Sequence, residues 1–168
     1  MPRTLTVFAI CIASLITARA QDFQVEKDIK RQVVLPKGVL AILRRNNYVS
    51  HCFRNDEFKP PIAFSGKWFQ AARIDLNGDR YPDYVVKANI GCLYGANIGP
   101  FWVFRGGASG FRLVLELHEL GMSIDHHRVK GYRDISAFRA TAVKGFESRW
   151  AFNGKRYVLR RSRSFHLG

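Results

Sequence analysis

From residue 67 onward the chain reads as strands, and its clearest stretch has a period of two. Phe111, Leu113, Leu115 and Leu117 alternate with Arg112, Val114, Glu116 and His118. Successive side chains of a strand point to opposite faces, so this pattern describes a half-exposed antiparallel strand. Earlier strands are expected at 68–74, at Tyr84-Val85-Val86 and at Phe101-Trp102-Val103-Phe104. A glycine-rich connection, 88–100, repeats Ala-Asn-Ile-Gly on either side of Cys92. Arg105-Gly106-Gly107-Ala108-Ser109-Gly110 reads as a hairpin turn. It is neither a nucleophile elbow nor a phosphate loop, because the serine lacks the required spacing and a strand, not a helix, follows.

The rhythm returns in weaker form. Tyr132-Arg133-Asp134-Ile135-Ser136 echoes Tyr81-Pro82-Asp83-Tyr84-Val85, and Trp150-Ala151-Phe152 echoes Trp102-Val103-Phe104. Asn153-Gly154 is a hairpin signal before Tyr157-Val158-Leu159. A spacing of about 50 residues suggests a degenerate repeat, with units at 67–117 and 131–159. Between them, 118–130 reads as a loop carrying Asp125-His126-His127, and 160–168 reads as a mobile basic tail. Ahead of them, Pro36 suits a first helical turn, Val39, Leu40, Ile42 and Leu43 keep helical spacing, and Arg44-Arg45 suit the last turn. This predicts a helix over 36–45, stopped at Asn46-Asn47. Residues 48–66 read as extended chain and loop. The fold class expected is α+β, mainly antiparallel β, with two blade-like β units and an N-terminal helix.

The first twenty residues read as a removable export signal. Arg3 precedes an apolar core, and Ala18-Arg19-Ala20 fits a small-x-small cleavage site, so the mature chain is expected to begin at Gln21. That run is shorter than the roughly 20 residues that span a bilayer, and no later run is apolar enough to do so. A soluble periplasmic or secreted domain over 21–168 is expected. Cys52 and Cys92 then remain, an even count that reads as a disulfide in an oxidising compartment. It would close a loop of about 40 residues and stabilise by roughly 4 kcal/mol. The signal segment contains two arginines and no acid, so the mature charge is two below the +14 of the whole chain. That excess favours anionic partners over cationic ones.

One stretch looks chemically purposeful: Asp75-Leu76-Asn77-Gly78-Asp79-Arg80-Tyr81-Pro82-Asp83. Oxygen-bearing side chains at its first, third, fifth and ninth places could converge on a calcium ion, with a backbone carbonyl from Tyr81. They could equally cap the N–H groups of a tight turn. An EF-hand would need Glu at the twelfth place, where Val86 stands.

The Asp75-x-Asn77-x-Asp79-x-x-x-Asp83 spacing, followed by Tyr84-Val85-Val86, resembles the calcium loop of FG-GAP/VCBS repeats, the blades of integrin-α-like propellers. Phe101-Trp102-Val103-Phe104 and Gly110-Phe111 resemble the later strands of such a blade. The resemblance implies antiparallel sheet and calcium held by Asp75, Asn77, Asp79 and Asp83. Arg80 stands where the family usually places glycine, and the second unit keeps only Asp134, which implies a metal-free second unit.

Other constellations are weaker. His118, His126 and His127 could bind a transition metal in a hydrolase, although adjacent loop histidines do not share a face readily. His118-Glu119 lacks the second histidine of a zinc-protease motif. Arg149, Lys155, Arg156, Arg160, Arg161 and Arg163 interleave with Trp150, Phe152 and Tyr157, a pattern that can hold polyanions. For an exported chain a protein, an anionic glycan or the envelope surface is favoured over nucleic acid. The function expected is a non-enzymatic binding module with a calcium-stabilised loop. The alternative is an exported inhibitor or immunity-type protein that binds an acidic enzyme or another polyanion.

Overall fold

The computed structural model describes residues 21–54, 62–95 and 98–167. Residues 1–20, read above as an export signal, the Asp56-Glu57 and Pro60-Pro61 sites, and Ala96, Asn97 and Gly168 lie outside the described residues.

The class is α+β with mainly antiparallel sheet. Two helices, α1 (Lys37–Arg45) and α2 (Asn47–Arg54), precede most of the strands. One sheet has the order β2-β3-β4-β5: Phe69–Ile74, Asp83–Ala88, Gly99–Arg105 and Arg112–Glu119. The other has the order β1-β6-β7-β8-β9: Gln21–Gln24, Gly121–Val129, Tyr132–Ala140, Lys144–Phe152 and Tyr157–His166. Each sheet therefore contains four consecutive strands, and β1 adds an edge to the second.

The four-stranded sheet is the middle of three layers. On β4, Phe101 and Val103 face the five-stranded sheet, where they meet Ile124, Ile135 and Phe152. Trp102 and Phe104 face the helices, where they meet Val39, Leu43 and Val49. All four of these β4 side chains are fully buried, each contributing about 1.5–3 kcal/mol of apolar burial. This explains why β4 reads as an unbroken apolar run; in β5 a bulge opposite Val103 and Phe104 breaks the alternation expected at 111–118, so that Leu115 and Leu117 pack toward the five-stranded sheet while Phe111 and Leu113 pack toward the helices. Lys87 on β3 is buried and donates to the carbonyls of Gln24, Val25 and Lys27, which anchors the segment that carries β1.

Three further expectations need correction. Residues 47–54, within the stretch read as extended, form α2. Asn46 Oδ1 accepts the Val49 N–H at 3.1 Å, so the Asn46-Asn47 pair caps a new helix instead of ending all helix. Val49 and Cys52, three apart, are the buried stripe of α2. Second, 121–129 is strand β6, not a loop: Met122 and Ile124 are buried between Ser123 and Asp125. Third, 160–166 is no tail but most of β9, paired with β8 from Arg161 to His166. Its solvated, arginine-rich composition disguised a strand. Gln21–Gln24, to which the sequence assigned no element, forms β1, paired with β6.

Asn46 also donates to Glu116 Oε2 at 2.8 Å and so ties the helical layer to β5. Asn46→Ala is expected to cost about 1–2 kcal/mol, read as a lower urea midpoint at unchanged slope. A cost below the scatter of the fit would show that the cap is dispensable.

Candidate functional site

The 75–83 loop joins β2 to β3 and closes on itself. Asp75 Oδ1 accepts the N–H groups of Asn77 and Gly78 at 3.1 and 2.6 Å. Asn77 Oδ1 accepts from Asp79 N at 3.2 Å, and Asp79 Oδ1 accepts from Tyr81 N at 2.7 Å. Asn77 Nδ2 donates to Asp79 Oδ2 and to the Tyr132 hydroxyl. Tyr132 also accepts from Arg105 Nη1 and stacks on Phe152 at 3.9 Å, so this loop is docked on the other sheet. The left-handed conformation the loop needs falls at Gly78, φ 77°, and not at Arg80, so Arg80 carries no backbone strain.

Asp83 differs from the other three. It is fully buried at the start of β3. Oδ2 accepts the Leu76 N–H and Oδ1 accepts the Gly106 N–H, each at 2.9 Å. Gly106 must be glycine here, because a Cβ would lie 2.4 Å from the Pro82 carbonyl oxygen. Burial holds the Asp83 carboxyl above its ordinary value; the two N–H donors oppose that shift, and the charges of Asp79 and Asp75 add to it. Asp83 is thus committed to pinning the β2–β3 loop to the β4–β5 turn. For calcium, Asp75, Asn77, Asp79 and Asp83 all have a suitable donor chemistry; the two oxygens of Asp83 each accept one buried N–H, as those of Asp79 accept from Tyr81 N and Asn77 Nδ2.

Among the described residues, no three His, Cys, Asp or Glu side chains stand close enough together to hold a metal ion. His118 faces Glu116 at 3.4 Å and packs edge-on against Tyr48. His127 lies on β6, its Nδ1 2.7 Å from Asp134 Oδ2. Asp134 is the positional echo of Asp83 and is likewise buried. In place of backbone donors it uses His127 and Arg149 Nε, the latter at 3.1 Å, and its Oδ1 has no partner.

The outer face of the five-stranded sheet was not legible as a site. Its register aligns Asp22, Ser123, Ser136, Arg149 and Arg161 in one row across all five strands. The next row runs Gln24, Gly121, Phe138, Glu147 and Arg163. A groove of about 720 Å³ lies over these rows. Its floor is serine and Phe138. One wall, with Asp22 and Glu26, is acidic; the wall on β8 and β9 carries Arg149, Arg161 and Arg163. Arg149 is held by Asp134, and Arg163 by Glu147 at 2.7 Å. Among the described residues Arg161 has no ion-pair partner. Of the six basic residues marked in the sequence, these three share the groove. Lys155 and Arg156 sit in the β8–β9 turn, where Asn153 Oδ1 accepts both their N–H groups. Arg160 is the extra residue of a bulge in β9. Trp150 is half-buried and Phe152 and Tyr157 are core, so the aromatics do not line the basic wall.

Cys52 and Cys92 are joined, Cα to Cα 5.9 Å, and tie α2 to the β3–β4 connection. No helix among the described residues is long and apolar enough to cross a membrane. A scan against family models finds no match, and neither curated proteins nor solved structures yield a similar chain.

Proposed function

We propose that this chain is an exported, non-enzymatic binding module that docks an acidic protein partner on the outer face of its five-stranded sheet. The observation that carries this reading is the open groove whose β9 wall presents Arg161 with no ion-pair partner among the described residues. Helices cover one side of the molecule's middle sheet and the five-stranded sheet covers the other, and no described element covers this outer face. A row of serine hydroxyls and arginines suits hydrogen bonding to carboxylates. The net charge of the chain would speed the approach of an acidic partner. Blocking an acidic enzyme by surface contact is one form this docking would take. Export is supported by the Cys52–Cys92 bridge.

The test is the binding of an oligoglutamate peptide to the full protein at low and high salt. Binding is expected to weaken steeply with salt, and Arg161→Glu should weaken it roughly tenfold or more. Lys37→Glu, on the helical layer, should change it little. Equal effects of the two substitutions would reduce the binding to bulk charge and overturn the reading.

The resemblance to FG-GAP/VCBS repeats bears on the scaffold. Two four-strand meanders packed face to face, with buried aspartates at matching places, are what adjacent blades of that family would supply. A calcium ion proposed on that basis would be held by Asp75, Asn77, Asp79, Asp83 and the Tyr81 carbonyl, and would brace the β2–β3 loop. Calcium added to chelated protein should then raise the melting temperature, and Asp79→Ala should abolish the rise. An unchanged melting temperature at millimolar calcium would leave the loop to its own hydrogen bonds.

A further inference from the structure

The groove's basic wall is also a sheet edge. β9 pairs with β8 on one side only, and its other side ends the sheet. It is the longest of the four edge strands, with ten residues against four in β1, six in β2 and eight in β5. The β2 edge is met by Val33, whose N–H donates to the Ala71 carbonyl at 2.9 Å. No backbone hydrogen bond from any other described segment reaches the free side of β9. An unpaired edge of this length offers a row of N–H and C=O groups to any strand that can approach it.

The side chains of β9 restrict which strand that is. Arg161, Arg163 and Phe165 project on the groove face. The Phe165 ring lies over Gly145 and reaches toward Phe138, their centroids 6.4 Å apart. Ser162 and Ser164 project on the opposite face, where they are small and exposed. β9 therefore alternates cation and serine. An incoming strand added to this edge would have its own side chains alternate in step. Acids at every second position would stand beside Arg161 and Arg163, and larger residues between them would have room over Ser162 and Ser164. Arg160, at the bulge, adds charge at one end. A second copy is disfavoured, because antiparallel pairing of two β9 edges would set these arginines against each other.

Resting on the reading that the basic wall docks an acidic protein, we propose that the docked element is an extended segment with acidic residues at alternate positions, added to β9 as a sixth strand of the sheet. Main-chain bonds would give such an interaction its affinity, and the alternating arginines would set its register.

The experiment uses synthetic peptides of about eight residues, an ordinary strand length. One alternates Glu with Thr and Val, one has the same composition with its acids in a block, and two are forms of the first N-methylated at alternate amides along one edge or the other. The alternating peptide should bind the full protein roughly tenfold tighter than the block peptide, a preference for register over charge alone. Methylation along one edge should remove most of that binding, and Arg161→Ala should weaken it. Equal binding of the parent and both methylated peptides would overturn strand addition and leave acidic docking standing. No binding of any acidic peptide at low salt would overturn both. A concentration-dependent dimer with protected β9 amides would give the edge to a second copy and overturn the acidic strand.

Discussion

Asp83→Ala is expected to destabilise the protein by about 3–5 kcal/mol. The carboxylate is fully buried and accepts one N–H from the β2–β3 loop and one from the β4–β5 turn. Truncation leaves both donors buried without partners. Against a total stability of about 5–15 kcal/mol, that loss is large. The fair comparison is Asp75→Ala, whose carboxylate also accepts two N–H groups but is exposed, so water can replace it. A change below about 1 kcal/mol is expected there. Equal urea midpoints for the two variants would contradict the framework role of Asp83.

The same residue predicts a pH dependence. Burial, opposed by the two N–H bonds, raises its folded value. A carboxyl raised on folding binds its proton more tightly in the native state. Its contribution to stability is therefore full below the unfolded carboxylate range and is lost as pH rises through the raised folded value. Asp83→Asn, which cannot titrate, should flatten that part of the stability–pH curve. A slope unchanged by the substitution would assign it to other carboxylates.

Removing the disulfide is the second large effect. Cys52 and Cys92 are 40 residues apart, so the bridge restricts the unfolded chain by about 4 kcal/mol. Cys52→Ala with Cys92→Ala should lower the melting temperature by on the order of 10 °C. The loss should appear first in the helical layer, because the bridge fastens α2 to the β3–β4 connection and Tyr48 adds only a 3.2 Å bond to the Leu93 carbonyl. Hydrogen exchange would show faster opening of α1 and α2 than of β4. Uniform acceleration across both sheets would mean that the helices are not a separable layer.

The two halves of the fold differed in how much of them could be read in advance. Strands β2 to β5 were legible because the middle sheet is buried on both faces, which leaves apolar runs such as Phe101-Trp102-Val103-Phe104. The five-stranded sheet has one solvated face, and that face hid it. In β6 only Met122 and Ile124 carry the apolar signal, and in β9 past Leu159 nothing does until Phe165. Pairing with β8, not intrinsic preference, holds that stretch in strand. Asn46-Asn47 misled because an asparagine that ends one helix can cap the next. The disulfide was legible because, with Cys11 set aside in the segment read as an export signal, the two remaining cysteines allow one pairing.

The 75–83 loop was legible as a set of spaced oxygens, but not the division of labour within it. That division depends on Gly106, distant in sequence, which brings its N–H to Asp83. The groove was the least legible feature. Its polar row takes one residue from each of five strands, from Asp22 to Arg161, and only strand register assembles it.

The most direct test is an amide-shift titration of isotopically labelled protein with an acidic peptide at low salt. The expected shifts cluster on β8 and β9 around Arg149, Arg161 and Arg163, and Arg161→Glu removes them. Shifts centred on α1 and α2, or shifts on β9 that survive Arg161→Glu, would contradict docking on the outer face of the five-stranded sheet.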